Sequence, residues 1–275
     1  MSKLSISIVL YHDNRNDLKK TIYSVLNSKI NLTLYLIDNS SNDSLKSLSN
    51  IDKRIIYIHN KNNLGYGPAH NIAIKKSIKN SSVYHLVLNP DVTFQKNVLR
   101  ELSDYMDDNK DIGNIMPNVM YLDGKQQYLC KLLPGPMQLI VRRFIFIKSI
   151  KNYINNVYEL KFFKYNKIAN IPSLSGCFML LRTSALKRVG LFDENFFMYL
   201  EDVDLNRRIH EKYKTIFYPH QTIYHGYKKA SGAINKELLF HIKSTIYYFN
   251  KWGWIIDKKR KKINNQTIKS LKNLV

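Results

Sequence analysis

Cysteine is nearly missing from this chain. Cys130 and Cys177 are the only two in 275 residues. They give no disulfide framework and no metal-ligand spacing, and they suit a reducing cytoplasm. No uninterrupted apolar run reaches the ~18 residues that a membrane-spanning helix needs. Met1-Ser2-Lys3 leads straight into strand-like sequence with no cleavage pattern, so no signal peptide is expected. Neither a GxGxxG fingerprint nor a Walker A loop occurs. RNP, zinc-finger and helix-turn-helix signatures are missing as well, so no nucleic-acid partner is expected despite the basic balance and the nineteen tyrosines. Acidic residues are scarce, 21 against 43 Lys and Arg, for a net charge of +22. Most of that excess sits in residues 125–170 and 226–275, and the rest of the chain is close to balanced. Charge gathered in two patches suggests docking on something anionic, although basic residues that merely solvate a surface give the same count.

Hydrophobic residues make up 44% of the chain, enough for a sizeable core. Strand-like runs at 5–11, 32–37, 55–58 and 84–88 alternate with helical spacings at 17–27, 69–78 and 98–106. That alternation predicts βαβ units with helices on both faces of a mostly parallel sheet. After Gly113 the pattern weakens. A strand is expected at 115–121 and a basic, weakly periodic insertion at 125–170, where Met137, Ile140, Val141, Phe144 and Ile147 suggest an apolar helix stripe. A strand at 175–181 follows, then a short helix to Val189 with Thr183 as its cap. A helix from Glu201 to Tyr213, short strands at 215–218 and 222–225, and a long helix at 236–252 complete the reading. In that last helix Leu239, Ile242, Ile246 and Phe249 share a face.

The chemistry-bearing stretches sit where strands end. Tyr84 to Leu88 reads as a buried strand, and Pro90 stops it, so Asp91 projects from its carboxyl end. One carboxylate there suits Mg²⁺ or Mn²⁺ shared with a diphosphate. His225, after a late strand, is the candidate second ligand. Asp38 and Asp43 lie in an oxygen-rich loop after the second strand. Asx turns explain such loops equally well. Gly65 and Gly67 admit either a positive φ beside a ligand or a plain turn. Glu201, Asp202 and Asp204 suit a general base, or a helix start that favours acids.

Taken in order, the set Val9-Leu10-Tyr11, Asp38 to Asp43, Asn63-Leu64-Gly65-Tyr66-Gly67, Asn71, Asn89-Pro90-Asp91, Ser175 to Leu180, Phe192-Asp193-Glu194 and Glu201 to Leu205 resembles family 2 glycosyltransferases of the GT-A fold. Within them it is similar to the bacterial rhamnosyltransferase-like branch. The resemblance covers roughly residues 4–230, is specific in combination, and implies an α/β GT-A domain followed by a basic helical extension at 231–275. Within that domain, residues 1–124 would form the nucleotide-binding half and 125–230 the acceptor half. It further implies inverting transfer from a TDP- or UDP-sugar, with rhamnose from TDP-rhamnose as the narrower expectation. On this resemblance Asp38 and Asp43 line the nucleoside pocket. Tyr11, Gly65, Asn71 and Asn89 are counted with the donor site. Asp91 matches the last Asp of the family's DxD element, Asp202 the base of its ED element, and Glu201 the residue that positions the acceptor or the base. His225 falls where members place a late metal- or phosphate-contacting histidine. Asn89 departs from the pattern, because the first acid of DxD is an amide here. A lipid-linked oligosaccharide acceptor would explain the basic regions. Trp252 to Ile256 beside Lys258 to Lys262 has an interfacial pattern, so peripheral attachment to the anionic inner face of the cell membrane is expected.

Overall fold

The computed structural model describes residues 4–141, 147–226 and 236–274. Its N-terminal half is built from parallel strands and crossovers: β1 (Leu4–Leu10), α1 (Arg15–Leu26), β2 (Leu32–Asp38), β3 (Ile55–His59), α2 (Tyr66–Lys79) and β4 (Tyr84–Leu88). There follow β5 (Val92–Phe94), α3 (Val98–Asp108), β6 (Ile112–Met120), α4 (Lys148–Tyr158), β7 (Ala169–Asn170), β8 (Phe178–Arg182), α5 (Thr183–Val189), α6 (Glu201–His210), β9 (Lys214–His225), α7 (Lys236–Trp252) and α8 (Lys258–Lys272). One nine-stranded sheet runs in the order β3-β2-β1-β4-β8-β6-β9-β5, with β7 also on β9. The parallel run is β3 to β4. β8 then lies antiparallel to both β4 and β6, so the sheet is mixed beyond β4.

Side-chain alternation feeds the two faces. Leu4, Ile6, Ile8 and Leu10 of β1 pack with Leu18, Ile22 and Val25 of α1. On the opposite face Val87, Met179 and Leu181 pack with Ile74, Phe192, Leu205 and Ile209, which seats α2 and α6 on the sheet. Ser7, on that second face, holds the buried rings of His70 and His85 through its hydroxyl at 2.7 and 2.8 Å. Burial keeps both imidazoles well below their ordinary pKa, so they stay neutral.

Four expectations change. The 215–218 and 222–225 strands are one irregular strand, β9, whose register against β6 shifts after Pro117. Thr183 does not cap α5; its hydroxyl donates to the Ser82 and Val83 carbonyls, tying β8 to the chain before β4. The 137–147 stripe lies partly outside the described residues, and its described part is a short π-helical turn at Met137–Val141. α4, which the sequence pattern did not reveal, follows.

The basic tail is a helix, α8, and it is tied down. The Asp257 side chain accepts from the Arg260 N–H and caps it. That carboxylate also receives both terminal nitrogens of the buried Arg207 guanidinium, at 2.7 and 3.0 Å. The Arg207 guanidinium lies 4.0 Å from the Trp252 ring centroid. Trp252 therefore faces inward and leaves the expected interfacial cluster, its indole N–H donating to Asp204 at 2.8 Å.

Asp257→Ala leaves a buried guanidinium unpaired and is expected to cost ~3–5 kcal/mol. Arg207→Met with Asp257→Leu removes both charges and is expected to cost less than Asp257→Ala alone. Urea denaturation of the three proteins checks the order.

Candidate active site

Strand register brings the site together. Leu10 pairs with Asp38 and Ile8 with Leu88, so β1, β2 and β4 end side by side. Asp38 is fully buried, accepting from the Ser40 N–H at 2.8 Å and the Tyr57 hydroxyl at 2.6 Å. Burial and this carboxylate push the Tyr57 phenol upward. Asp43 lies apart, exposed, 3.9 Å from Lys46, and lines neither large cavity. Tyr11 is exposed, edge-on to His12 at 4.7 Å.

Gly65 has φ +88°, and the space a side chain would need is taken by the Phe197 backbone. Its close approach is thus to the loop before α6, where the Tyr66 N–H donates to the Phe197 carbonyl at 2.9 Å. Asn71 is a strut. Its amide nitrogen donates to the Phe192 carbonyl at 2.9 Å and to Glu194 at 3.0 Å, and its oxygen accepts from the Phe192 N–H. Neither Gly65 nor Asn71 lines the large cavities.

β5 returns against β9 with Val92 opposite His225, which places His225 beside Asp91. Its Nε2 lies 3.3 Å from an Asp91 carboxylate oxygen and 3.3 Å from the Asn89 amide nitrogen. Nδ1 lies 3.0 Å from the Gln127 side-chain oxygen. Burial disfavours charging this imidazole, but Asp91 and Cys177 outweigh it and raise the pKa to about 10. Among the described residues no group of three or more His, Cys, Asp or Glu gathers as a cation cage. Mg²⁺ commonly binds through one or two carboxylates together with substrate phosphates. The partly exposed Asp91 with His225 therefore fits an ion that arrives with a diphosphate, and His225 would have to shed its proton to ligate. Asp13 is a neighbour that the sequence analysis did not single out. It accepts from the Tyr11 N–H at 2.8 Å. Burial, helped by the charges of Asp91 and Asp38, raises it to about 6. The available signal was its place, a carboxylate just beyond the end of β1.

The acidic cluster divides. Tyr199 and Leu200 both have positive φ, +72° and +67°, strained for non-glycine residues by about 1–2 kcal/mol each. This bend turns Glu201 and Asp202 into the cavity. Asp204 points the other way, to Arg208, Trp252 and Lys251 at 2.8–2.9 Å. Asp202 accepts from the Gly176 N–H and the Val203 N–H, each at 2.8 Å. Burial raises its pKa, opposed by those N–H groups and by Lys131. Glu201 is raised by burial and by Asp202, and its Oε2 has no hydrogen-bond partner among the described residues. Tyr66, which lay unweighted between the two glycines, joins the two sides by donating to the Gly176 carbonyl at 2.8 Å and to Asn89 at 3.1 Å.

A cavity of about 740 Å³ holds Glu201, Asp202, Lys131 and Lys161. A second, of about 670 Å³, holds Asp13 and Asp91. Asn89 and His225 line both, so the Asp91 side and the Glu201–Asp202 side meet at two shared residues.

The chain is similar to known proteins over most of its length. The profile of "Glycosyl transferase family 2" matches residues 5–190. The chain is 27% identical over 207 residues to "Low-salt glycan biosynthesis hexosyltransferase Agl10" of Haloferax volcanii, a match spanning 74% of this chain and 60% of that protein. It is 23% identical over 250 residues to "Rhamnosyltransferase WbbL" of Escherichia coli, covering 88% of this chain and 90% of the relative. A shorter match, 36% over 85 residues (30% of this chain, 28% of the relative), is to the "N-acetylglucosaminyl-diphospho-decaprenol L-rhamnosyltransferase" of Mycobacterium tuberculosis. Among solved structures, GalNAc-T7 with UDP, GalNAc and Mn²⁺ superposes with TM-score 0.64 at 15% identity, over 91% of this chain and 49% of that one. S. aureus TarS 1-349 with UDP-GlcNAc gives 0.61 at 13%, over 97% and 71%. These likenesses show the GT-A fold.

Glu201 and Asp202 carry raised pKa values, so the folded state holds their protons to higher pH than the unfolded chain does. Stability contributed by their protonated forms is therefore lost as pH rises through the folded-state values. Glu201→Gln mimics the neutral form. Its melting temperature is expected to exceed that of the wild type at about pH 9, and the difference to shrink toward about pH 5. Thermal melts across that range check it.

Proposed function

The chain belongs to glycosyl transferase family 2, and from that membership we propose that it transfers a sugar, with inversion, from a nucleotide-sugar donor to a saccharide hydroxyl. The observation that carries this reading is the Asp202 carboxylate, held by the Gly176 N–H in the cavity that also reaches Asn89 and His225.

The donor diphosphate lies at Asn89, Asp91 and His225, with the nucleoside toward Tyr11 and Asp38. Asp43 contacts the nucleoside only if the 41–44 loop closes on it. Mg²⁺ or Mn²⁺ held there by Asp91 and His225 would supply neutralisation of the departing diphosphate. The acceptor enters the 740 Å³ cavity. Asp202 takes the proton of its attacking hydroxyl as the new glycosidic bond forms and the bond to the diphosphate breaks, in one displacement. Two backbone N–H bonds fix this base in orientation. Glu201, one residue earlier, positions the acceptor or the base. Gly176 keeps the wall beside the sugar free of a side chain that would press on Asp202.

The narrower reading is L-rhamnose from TDP-rhamnose onto a lipid-linked acceptor, in surface polysaccharide synthesis at the cytoplasmic membrane face. The Escherichia coli rhamnosyltransferase supports the sugar, and the Mycobacterium tuberculosis relative, a diphospho-decaprenol L-rhamnosyltransferase, supports the sugar and the lipid link. A UDP-hexose donor is the second reading, supported by the haloarchaeal hexosyltransferase and by the UDP-bound neighbours. No helix among the described residues is long and apolar enough to cross a membrane.

A panel of TDP- and UDP-sugars, with and without Mg²⁺ or Mn²⁺, is scored by thermal shift. A bound donor at 100 times its Kd stabilises by ~2.7 kcal/mol. A shift with TDP-rhamnose is expected, larger with metal, and Asp91→Ala is expected to erase the metal-dependent part. No shift with any donor would sink the reading. Asp202→Asn is expected to lower turnover ~10²–10⁴-fold while the donor shift stays. Undiminished turnover would remove Asp202 as the base.

A further inference from the structure

α7 has two unlike sides. Tyr248 and Phe249 are fully buried, and Ser244 and Thr245 nearly so, packed toward Phe196, Leu200 and Val203. Along that inner side Phe240 lies on Phe197 at 4.5 Å and His241 on Tyr199 at 5.5 Å. His241 also lines a cavity of about 240 Å³ with Glu201 and Asp202. The outer side carries Leu239, Ile242 and Ile246, which are 55%, 44% and 45% exposed. Of the four residues that periodicity places on one face, Phe249 alone enters the core. Spacings of three and four place the aliphatics in one stripe. The next position on that stripe is Asn250, whose side-chain oxygen accepts from the Trp254 indole N–H at 2.9 Å. Trp254 thus stands at the end of the stripe. Ile255 and Ile256 follow at 86% and 82% exposure. The tip is braced, because the Arg260 guanidinium donates to the carbonyls of Gly253, Trp254 and Ile255.

Single exposed aliphatics are ordinary, but a contiguous stripe running into an apolar tip marks a partner surface. The neighbouring charge selects that partner. α8 opens directly beside the tip with exposed Lys258, Lys259, Lys261 and Lys262. A second copy docked about a two-fold axis would meet the same cations and be repelled. An anionic lipid surface offers phosphates to the lysines and acyl chains to the stripe.

We propose that the outer face of α7 and the Trp254–Ile256 tip insert into the headgroup–acyl boundary of an anionic bilayer, with the first turn of α8 on lipid phosphates. This deepens the lipid-linked acceptor reading and depends on it only for purpose. The inner side of the same helix contributes His241 to the 240 Å³ cavity beside Tyr199, Glu201 and Asp202, so a lipid-borne diphosphate sugar would meet Tyr199 and His241 at the membrane surface.

The test is co-sedimentation of the full chain with vesicles of phosphatidylglycerol and phosphatidylethanolamine, against phosphatidylcholine alone. The variants are Leu239→Ser/Ile242→Ser/Ile246→Ser and Ile255→Ser/Ile256→Ser. Each changes exposed residues, and melting temperature and nucleotide-sugar thermal shift confirm an intact fold and donor site. Expected is selective binding to the anionic vesicles, reduced at least about tenfold in either variant with melting unchanged. Undiminished binding in both variants, with loss only on Lys→Gln changes at 258, 259, 261 and 262, would overturn insertion and leave surface charge alone. A wild type that ignores vesicles but dimerises through the stripe, monomeric in the triple variant, would overturn it too. Vesicle binding as expected with no donor shift would keep this proposal and remove the transferase reading, so the two failures are distinguishable.

Discussion

The antiparallel pairing of β8 against β4 is the constraint from which the site follows. Leu88 sits opposite Phe178, so Asn89 emerges next to Cys177, and the Asn89 N–H donates to the Cys177 carbonyl at 3.0 Å. The chain just before β8, Ser175-Gly176-Cys177, is thereby fixed against the end of the parallel half. Its Gly176 N–H then holds Asp202, and its Gly176 carbonyl takes the Tyr66 hydroxyl. A slip of one residue in this ladder would turn every β8 side chain to the other face. Met179 and Leu181 would leave one core and Phe178 and Leu180 the other. The same cores that stabilise the sheet therefore set the distance between Asn89 and Asp202, the proposed diphosphate corner and base.

Behind that corner, α6 is held by charges that never reach the cavity. Asp204 is fully buried and takes Arg208, Lys251 and Trp252, while Arg207 takes Asp257. Buried charges cost desolvation, and pairs repay it only when their hydrogen bonds are complete. Here Asp204 and Asp257 are well supplied with donors. Three of the partners, Lys251, Trp252 and Asp257, come from the C-terminal extension. The extension is a buttress for α6 as well as a surface of its own. The left-handed bend at Tyr199–Leu200 opposes this, and the packing of Leu200 with Tyr248 and Phe249 holds it in place.

The cavity side of the same helix is under electrostatic tension. Glu201 and Asp202 are adjacent carboxylates in a buried wall, and only Asp202 is well supplied with N–H donors. The N–H groups make Asp202 the easier of the two to ionise. The juxtaposition of the two carboxylates is stability given up at a place where chemistry needs a poised carboxylate.

The sequence by itself determined the parallel half, the strand-ending Asn89-Pro90-Asp91, and the extents of α5 and α7. Each rests on local pattern: apolar period, a proline that cannot donate, a helical spacing of three and four. It also determined the family, because ordered short motifs survive where single ones carry little. Tertiary structure alone decided the rest. Asp202 and Asp204 read alike in sequence, and helix phase sends one to the cavity and the other to Arg208. Asn71 and Gly65 read as ligand contacts, but their partners, Phe192 and Phe197, lie more than a hundred residues away. Asp13 stands out only because β1, β2 and β4 end side by side. Leu239, Ile242 and Ile246 share a face by periodicity, yet periodicity cannot say whether a face meets core or solvent. That choice is made by what packs on the helix, and burial is a property of the assembled chain.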